Sequence, residues 1–133
     1  MDSAAAATSG FAGLAAIGQI AITVEDVDRA VKFYRDSLGM KLLFQYPGMA
    51  FFDCAGVRLM LSAPEQPGDR NSSILYFKVA DIQATHGALA GRGVTFEGEP
   101  HLIARMPDHD LWMAFFRDPD RNLLALMSEV QRA

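Results

Sequence analysis

The sequence has a single cysteine, Cys54, among its 133 residues. An intramolecular disulfide is therefore excluded, and one free thiol fits the reducing cytoplasm that we predict as the location of the protein. Runs of lysine and arginine are also absent, and 16 acidic residues against 12 Lys and Arg give a net charge of −4. This balance disfavours a nucleic acid as partner, because phosphate binding requires a basic face.

Long hydrophobic runs are missing as well. The mildly apolar stretch 11–17 falls well short of the roughly 20 residues that a membrane-spanning helix needs, so no membrane partner is expected. Residues 1–16 are rich in alanine, glycine and serine, a composition that predicts a flexible leader. The remaining length fits one domain, which we place at residues 17–130.

An internal repeat organises that domain. Residues 19–27 and 74–82 share a strand-like run followed by Val, a variable residue, Asp and an aliphatic residue. Asp26 and Asp81 are good helix N-caps, because a carboxylate accepts from the free amides of the first turn. After each helix the sequence predicts three strands: 40–44, 49–53 and 57–61 in the first unit, and 94–96, 113–117 and 123–127 in the second.

This pattern predicts an α+β fold of two paired β-α-β-β-β modules, 17–62 and 72–130. Together they are expected to form a curved mixed sheet around a cleft. The modules forming one cleft can belong to one chain or to two, and the sequence leaves both arrangements open. Exposed sheet edges and an uncovered sheet face favour a homodimer.

Two motifs carry a family resemblance. The segment from Val24 to Met40, with Phe33-Tyr34 on the helix and Leu38-Gly39 after it, resembles the vicinal oxygen chelate superfamily of glyoxalases, bleomycin resistance proteins and dioxygenases. The turn at 118–122, Asp-Pro-Asp-Arg-Asn, is similar to the Asp-Pro-Asp-Gly-Asn turn of that family. Arg121 replaces the usual glycine, so the turn must change its backbone or hold Arg121 at positive φ.

The resemblance implies a divalent metal that is held by one inward residue from the first and last strands of each module, usually two His and two Glu. Carried over residue by residue, these positions are Gln19, Met60, Ile74 and Ala125. Only the Gln19 amide oxygen suits a hard cation, since a thioether is soft and the aliphatic side chains have no donor. A register slip of one residue supplies only aliphatic side chains. We therefore expect no metal and no other cofactor.

The segment 101–112 is the most polar part of the second module, and the family resemblance places it beside the cleft, where it can act as a lid. Its histidines, His101 and His109, are candidate catalytic residues because an imidazole titrates near neutral pH. An alternative metal site would combine both histidines with Asp108 and Asp110. A solvated loop without chemistry is the third interpretation.

A ligand site can also form from aromatic and cationic residues of the cleft. Trp112, Phe116, Tyr76 and Tyr46 are candidates for an aromatic lining, although strand aromatics often belong to the core. Arg58 and Lys78 can pair with an anionic ligand or with surface carboxylates. The predicted ligand-binding residues are Gln19, Arg58, Met60, Ile74, Tyr76, Trp112 and Phe116.

Three functions remain open at this point. The first is a metal-independent protein that binds a small organic molecule, as the drug-resistance members of the family do. The second is a lyase, isomerase or dioxygenase that uses non-standard residues. The third is a structural or regulatory dimer module without a ligand. Fold resemblance does not choose between them, because function resides in the site.

Overall fold

The computed structural model describes residues 13–64, 66 and 73–132 of the chain. Residues 1–12 of the predicted leader lie outside this part, and residues 13–18 are exposed and have no regular secondary structure. Within the described residues, no helix is long and apolar enough to cross a membrane.

The described residues form two β-α-β-β-β modules, as predicted. In chain order the elements are β1 (Gln19–Thr23), α1 (Val27–Val31) with a π-helical continuation (Lys32–Ser37), β2 (Lys41–Tyr46), β3 (Met49–Cys54), β4 (Val57–Ser62), β5 (Leu75–Lys78), α2 (Ile82–Gly91), β6 (His101–Arg105), β7 (His109–Arg117) and β8 (Leu123–Gln131). Both predicted helix caps are confirmed. The Asp26 carboxylate accepts from Arg29 N and that of Asp81 from Ala84 N, each at 3.0 Å.

Each module is a four-stranded mixed sheet, ordered β1-β4-β3-β2 in the first and β5-β8-β7-β6 in the second. The first and last strands of each module run parallel, and the other pairs are antiparallel. Phe51 lies opposite Met60, and Phe115 lies opposite Ala125. Met60 and Ala125 are therefore equivalent, and the predicted match of 57–61 with 123–127 is one residue out of register.

One predicted strand is wrong. Residues 94–96 contribute only an isolated bridge between Phe96 and Phe116, and the strand that pairs with β7 is β6. Gly98, at φ +113°, and Pro100 separate the two segments. As a result, segment 101–112 is a β-hairpin with a short turn at 106–108 rather than a solvated loop.

Strand alternation divides each sheet into a helix face and an open face. The helix face packs against α1 or α2 and carries the core, in which Tyr34, Phe52, Leu61, Phe116 and Leu124 are fully buried. The open face is the opposite face of both sheets. The family positions point to this face.

A buried carboxylate joins the two modules. Asp118 lies in the turn between β7 and β8, and its Oδ2 accepts from the Tyr34 hydroxyl of the first module at 2.8 Å. Asp118 also accepts from Asp120 N, from Asn122 N and from Asn122 Nδ2, at 2.8–2.9 Å. Asp118 is only 4% exposed, and these four hydrogen bonds satisfy its buried carboxylate.

The same turn holds the first module through three further hydrogen bonds. Asp120 Oδ1 accepts from Glu25 N at 2.8 Å and from the Arg29 guanidinium at 3.0 Å. Asn122 Nδ2 donates to Thr23 O at 3.1 Å. We call residues 118–122 the closing turn, because it ties the end of β1 and the start of α1 to the second module.

Arg121 in the closing turn has φ +69°. Of the two alternatives that the sequence left open for this turn, the structure shows the second, with arginine at the positive-φ place of the family glycine. Its carbonyl accepts from the Arg117 guanidinium at 3.1 Å, which holds the turn in this conformation. The strain of a non-glycine residue in this region is on the order of 1 kcal/mol.

Burial and the nearby Asp118 carboxylate raise the pKa of Tyr34 well above its ordinary value of 10.0. The folded protein therefore keeps the phenol protonated, whereas the unfolded chain ionises it above pH 10. The stabilisation is complete below pH 10 and falls as the pH rises further, by up to about 1.4 kcal/mol per pH unit. We expect Tyr34→Phe to remove the part of the fall in the free energy of unfolding above pH 10 that is due to this phenol.

Urea unfolding of both proteins between pH 8 and pH 11 measures the effect. The free energy of unfolding should fall less steeply in Tyr34→Phe above pH 10, although the variant starts about 1–2 kcal/mol lower because it lacks the hydrogen bond. Equal slopes in the two proteins would contradict the buried, protonated state of Tyr34.

Candidate functional site

The four positions at which the resemblance implies metal ligands lie on the open face. Met60 alternates with the buried Leu59 and Leu61, and Ala125 alternates with Leu124 and Leu126. By the same alternation, Gln19 and Ile74 at the starts of the first strands point to this face. The four positions carried over from the family therefore share one face of the two sheets.

The donors at these positions do not fit a divalent metal. One amide oxygen and one thioether remain, whereas hard cations prefer several carboxylates or imidazoles. Among the described residues, no group of three or more His, Cys, Asp or Glu side chains is arranged to hold a metal ion. The alternative site of His101, Asp108, His109 and Asp110 is thus not assembled either.

Three aromatic residues form a cluster on the open face of the first sheet. The Phe51 ring lies 4.7 Å from that of Phe44 and 6.4 Å from that of Tyr46, measured between centroids. The Arg58 guanidinium lies over Phe51 at 5.8 Å from the centroid. Phe44 and Tyr46 are 40% and 56% exposed, so they present ring surface to a ligand. We call these four residues the aromatic patch.

The second sheet has a smaller counterpart around Phe115, the residue equivalent to Phe51. Tyr76 packs edge-on against Phe115 at 6.2 Å, and the His101 ring lies 6.4 Å away on the other side. Lys78, also on this face, forms an ion pair with Glu129 at 3.3 Å. The predicted residues Tyr76 and Arg58 are therefore on the same kind of surface in the two modules.

Trp112 and Phe116 lie elsewhere. Both alternate onto the helix face, where Phe116 is completely buried in the core. Trp112 packs partly on the core and borders a depression of about 390 Å³ beside the start of α2, with Ser128 and Val130. The structure therefore does not bring these two predicted residues together with Tyr46 and Tyr76.

A pocket of about 400 Å³ lies where the two modules meet. Its walls are almost wholly apolar and come from β1, β3, β4 and β5 with their flanking residues: Ile20, Cys54, Val57, Leu59, Ile74, Leu75, Tyr76 and Phe77. Its volume is within the range of small-molecule sites, and it contains two predicted ligand residues, Ile74 and Tyr76. We call it the junction pocket.

The two candidate catalytic histidines both alternate onto the open face. His101 pairs with Met113, and His109 begins β7 four residues earlier, which separates the two by roughly 13 Å along the strand. His101 Nδ1 donates to Glu99 O at 3.1 Å, and His109 Nδ1 donates to Asp108 Oδ1 at 2.8 Å. They cannot act on one proton together.

The His109 contact has an electrostatic effect on its partner. The hydrogen bond from His109 lowers the pKa of the exposed Asp108 carboxyl. Asp110 points to the other face, where its carboxylate pairs with Arg132 and, at 3.6 Å, with Arg105. These contacts fix the tip of the β6-β7 hairpin to the end of the chain.

Sequence reasoning missed Phe44, Phe51 and Phe115 as site residues. The last two were recognisable, since a phenylalanine opposite the Met60 or Ala125 position must share its face. Phe44 was not, because a bulge between Leu42 and Phe44 reverses the alternation of β2.

Comparison with known proteins gives consistent results. Residues 16–126 match the family model of the Glyoxalase/Bleomycin resistance protein/Dioxygenase superfamily. The chain is 31% identical to the uncharacterized protein YraH of Bacillus subtilis in an alignment of 126 positions that covers 81% of this chain and 94% of YraH.

Solved structures with the same fold include two with closely similar coverage. A member of this superfamily from Sphaerobacter thermophilus is 26% identical, with a TM-score of 0.71 over 87% of this chain and 98% of that one. A lactoylglutathione lyase from Agrobacterium tumefaciens is 23% identical, with a TM-score of 0.70 over 86% and 94%. At this identity the second likeness concerns the fold alone.

Proposed function

This chain belongs to the glyoxalase/bleomycin resistance protein/dioxygenase superfamily, and we propose that it is a metal-independent protein that binds a small organic molecule. The observation that carries the proposal is the chemistry of the open face. Where the family resemblance implies metal ligands, this chain has Met60, Ile74 and Ala125, and the surrounding surface offers aromatic rings instead.

The aromatic patch supplies the apolar contact that such a ligand needs. Exposed rings of Phe44 and Tyr46 offer flat apolar contact on the open face of the first sheet. The junction pocket lies on the helix-face side of that sheet, where Ile20 and Leu59 point, and is a separate apolar site. Burial of apolar ligand surface stabilises the complex by about 25 cal/mol for each Å² removed from water. The proposal places binding energy in stacking and burial rather than in coordination.

We further propose that two copies of the chain assemble as a homodimer in the cytoplasm. The open faces expose large apolar side chains, among them Phe44, Tyr46, Ile74 and Tyr76, which a second copy would cover in part. A symmetric pair would also enclose the ligand from both sides. No nucleic acid or membrane takes part in this proposal, in keeping with the net charge of −4.

A matched pair of alanine substitutions tests binding on the open face. Ala21 and Ala88 are both exposed, but Ala21 lies opposite Met60 on the open face and Ala88 on α2. With the neutral dye Nile red as probe, we expect saturable fluorescence enhancement that Ala21→Trp weakens by at least about tenfold. Ala88→Trp should bind the dye like the unmodified protein.

Two further readings make the test decisive. Sedimentation of Ala21→Trp shows whether weaker dye binding accompanies a change from twice the 14.5 kDa chain mass to a single chain. Metal analysis and titration in EDTA test metal independence: dye binding that EDTA abolishes, or a stoichiometric metal, would contradict it. Equal loss in both tryptophan variants would place binding outside the open face.

An enzymatic function as lyase, isomerase or dioxygenase is the second candidate. The observation that favours it is the position of His101, an exposed imidazole on the open face beside Phe115. Turnover that His101→Gln abolishes while Nile red binding persists would distinguish this function from binding alone.

A further inference from the structure

Arg58 differs from Lys78 and Arg117, two other cations of the open face, in its surroundings. Lys78 pairs with Glu129 at 3.3 Å, and Arg117 pairs with Glu97 at 2.7 Å. In the described part of the chain, no carboxylate lies within 4.0 Å of the Arg58 guanidinium, which lies over the Phe51 ring at 5.8 Å from its centroid. A guanidinium is always charged, so this charge is available to a ligand.

The row of residues that crosses the sheet at Arg58 has an excess of positive charge. Arg58 lies between Gln19 on β1 and Asp53 on β3, and Lys41 on β2 lies beyond Asp53. The Asp53 carboxylate accepts from Gly56 N at 3.3 Å. Two cations thus share the row with one carboxylate, which favours an anionic group here.

The aromatic patch fixes the orientation of that charge. Phe51 is 9% exposed because Phe44, Tyr46 and Arg58 surround it. A guanidinium that stacks on a ring keeps the N–H groups at its edge free, and these donate in parallel to a carboxylate. An aromatic body attached to that carboxylate would meet the exposed rings of Phe44 and Tyr46.

Resting on the small-molecule function proposed above, we propose that the ligand is a planar aromatic carboxylate. Arg58 binds its carboxylate, the aromatic patch stacks on its ring system, and the Gln19 amide is placed to donate a further hydrogen bond. Arg58 is therefore the residue that selects anions over neutral or cationic compounds of the same shape.

Three naphthalene derivatives of matched shape test this selection. Isothermal titration with 2-naphthoate, 2-naphthamide and 2-naphthylmethylammonium should rank the acid about 10- to 100-fold tighter than the amide, and the ammonium weakest. Arg58→Met keeps the length and removes the charge, so naphthoate affinity should drop to that of the amide. Lys78→Met is the matched control, because Lys78 is already paired, and should leave all three affinities unchanged.

The outcomes separate this inference from the function on which it rests. Equal binding of acid and amide, or naphthoate affinity that survives in Arg58→Met, would overturn the carboxylate assignment and leave small-molecule binding intact. Absence of binding for all three compounds at millimolar concentration, together with absence of Nile red binding, would overturn both. Arg58 is exposed, so Arg58→Met should fold normally, and an unchanged melting temperature verifies this.

Discussion

Replacing Asp118 by alanine is expected to lower the free energy of unfolding by about 3–5 kcal/mol. The carboxylate accepts four hydrogen bonds while 4% exposed, and its loss leaves the buried Tyr34 hydroxyl and the amides of the closing turn without an acceptor. Because the Tyr34 contact links the modules, the change also weakens their packing. For a chain of this size the melting temperature should drop by roughly 10–20 °C.

Asp108→Ala is the matched control for this prediction. Asp108 also lies in a turn between two strands of the second module, but its side chain is 77% exposed and its partner is the neighbouring His109. Its removal should change stability by no more than about 0.5 kcal/mol. A loss below about 1 kcal/mol in Asp118→Ala would mean that the closing turn does not hold the modules together.

The repeat was predictable from the sequence because its signals are local. Asp26 and Asp81 cap their helices in isolation from the rest of the chain, and the missing glycine limits the turn at Arg121 to two alternatives. Such signals depend on a few neighbouring residues. They sufficed for the α+β class, the two modules and the order of most strands.

Strand β6 was not predictable in this way. Its pairing with β7 shifts register between Leu102 and Ala104, so Ile103 is an extra residue that breaks the alternation. The polar character of 101–112 then favoured a loop. β2 has the same irregularity between Leu42 and Phe44, which is why the aromatic patch could not be foreseen as a unit.

The candidate site was predictable only in part for a related reason. Alternation within β7 groups Trp112 with Phe116 but does not say which group faces α2. That decision depends on long-range packing, and the complete burial of Phe116 against the helix side settles it. Arg58 and Tyr76 were predicted correctly because each lies two residues from a position, Met60 or Ile74, that the family resemblance places on the open face. Residues two apart in a strand point to the same face.

The four positions that correspond to family metal ligands also lead to a prediction about metal binding. These positions share the open face although they lack suitable donors, and Met60 and Ala125 are equivalent across from Phe51 and Phe115. Gln19 lies at the start of β1, and Ile74 directly precedes β5, on the same face in the two modules. Restoring donors at these four places should therefore restore metal binding.

The variant Gln19→His, Met60→Glu, Ile74→His, Ala125→Glu is expected to bind Ni²⁺ or Zn²⁺, whereas the unmodified chain is not. Ala125 is fully buried, so a glutamate there destabilises the metal-free variant by several kcal/mol. Metal at about 100 times its Kd raises the free energy of unfolding by about 2.7 kcal/mol, because it binds only the folded state. Thermal unfolding with and without Ni²⁺ should show a rise of roughly 5–15 °C in the variant alone.

A control with glutamine in place of both glutamates preserves shape and removes the charge that a hard cation prefers. Its Ni²⁺ affinity should be at least about tenfold weaker than that of the glutamate variant. A folded glutamate variant that binds no metal would show that the four positions do not converge, either within one chain or across a dimer. In that case the resemblance would extend to the fold and not to the geometry of the site. Metal binding in the variant would instead show that the four positions converge and that their side chains alone keep the unmodified chain from coordinating a metal there.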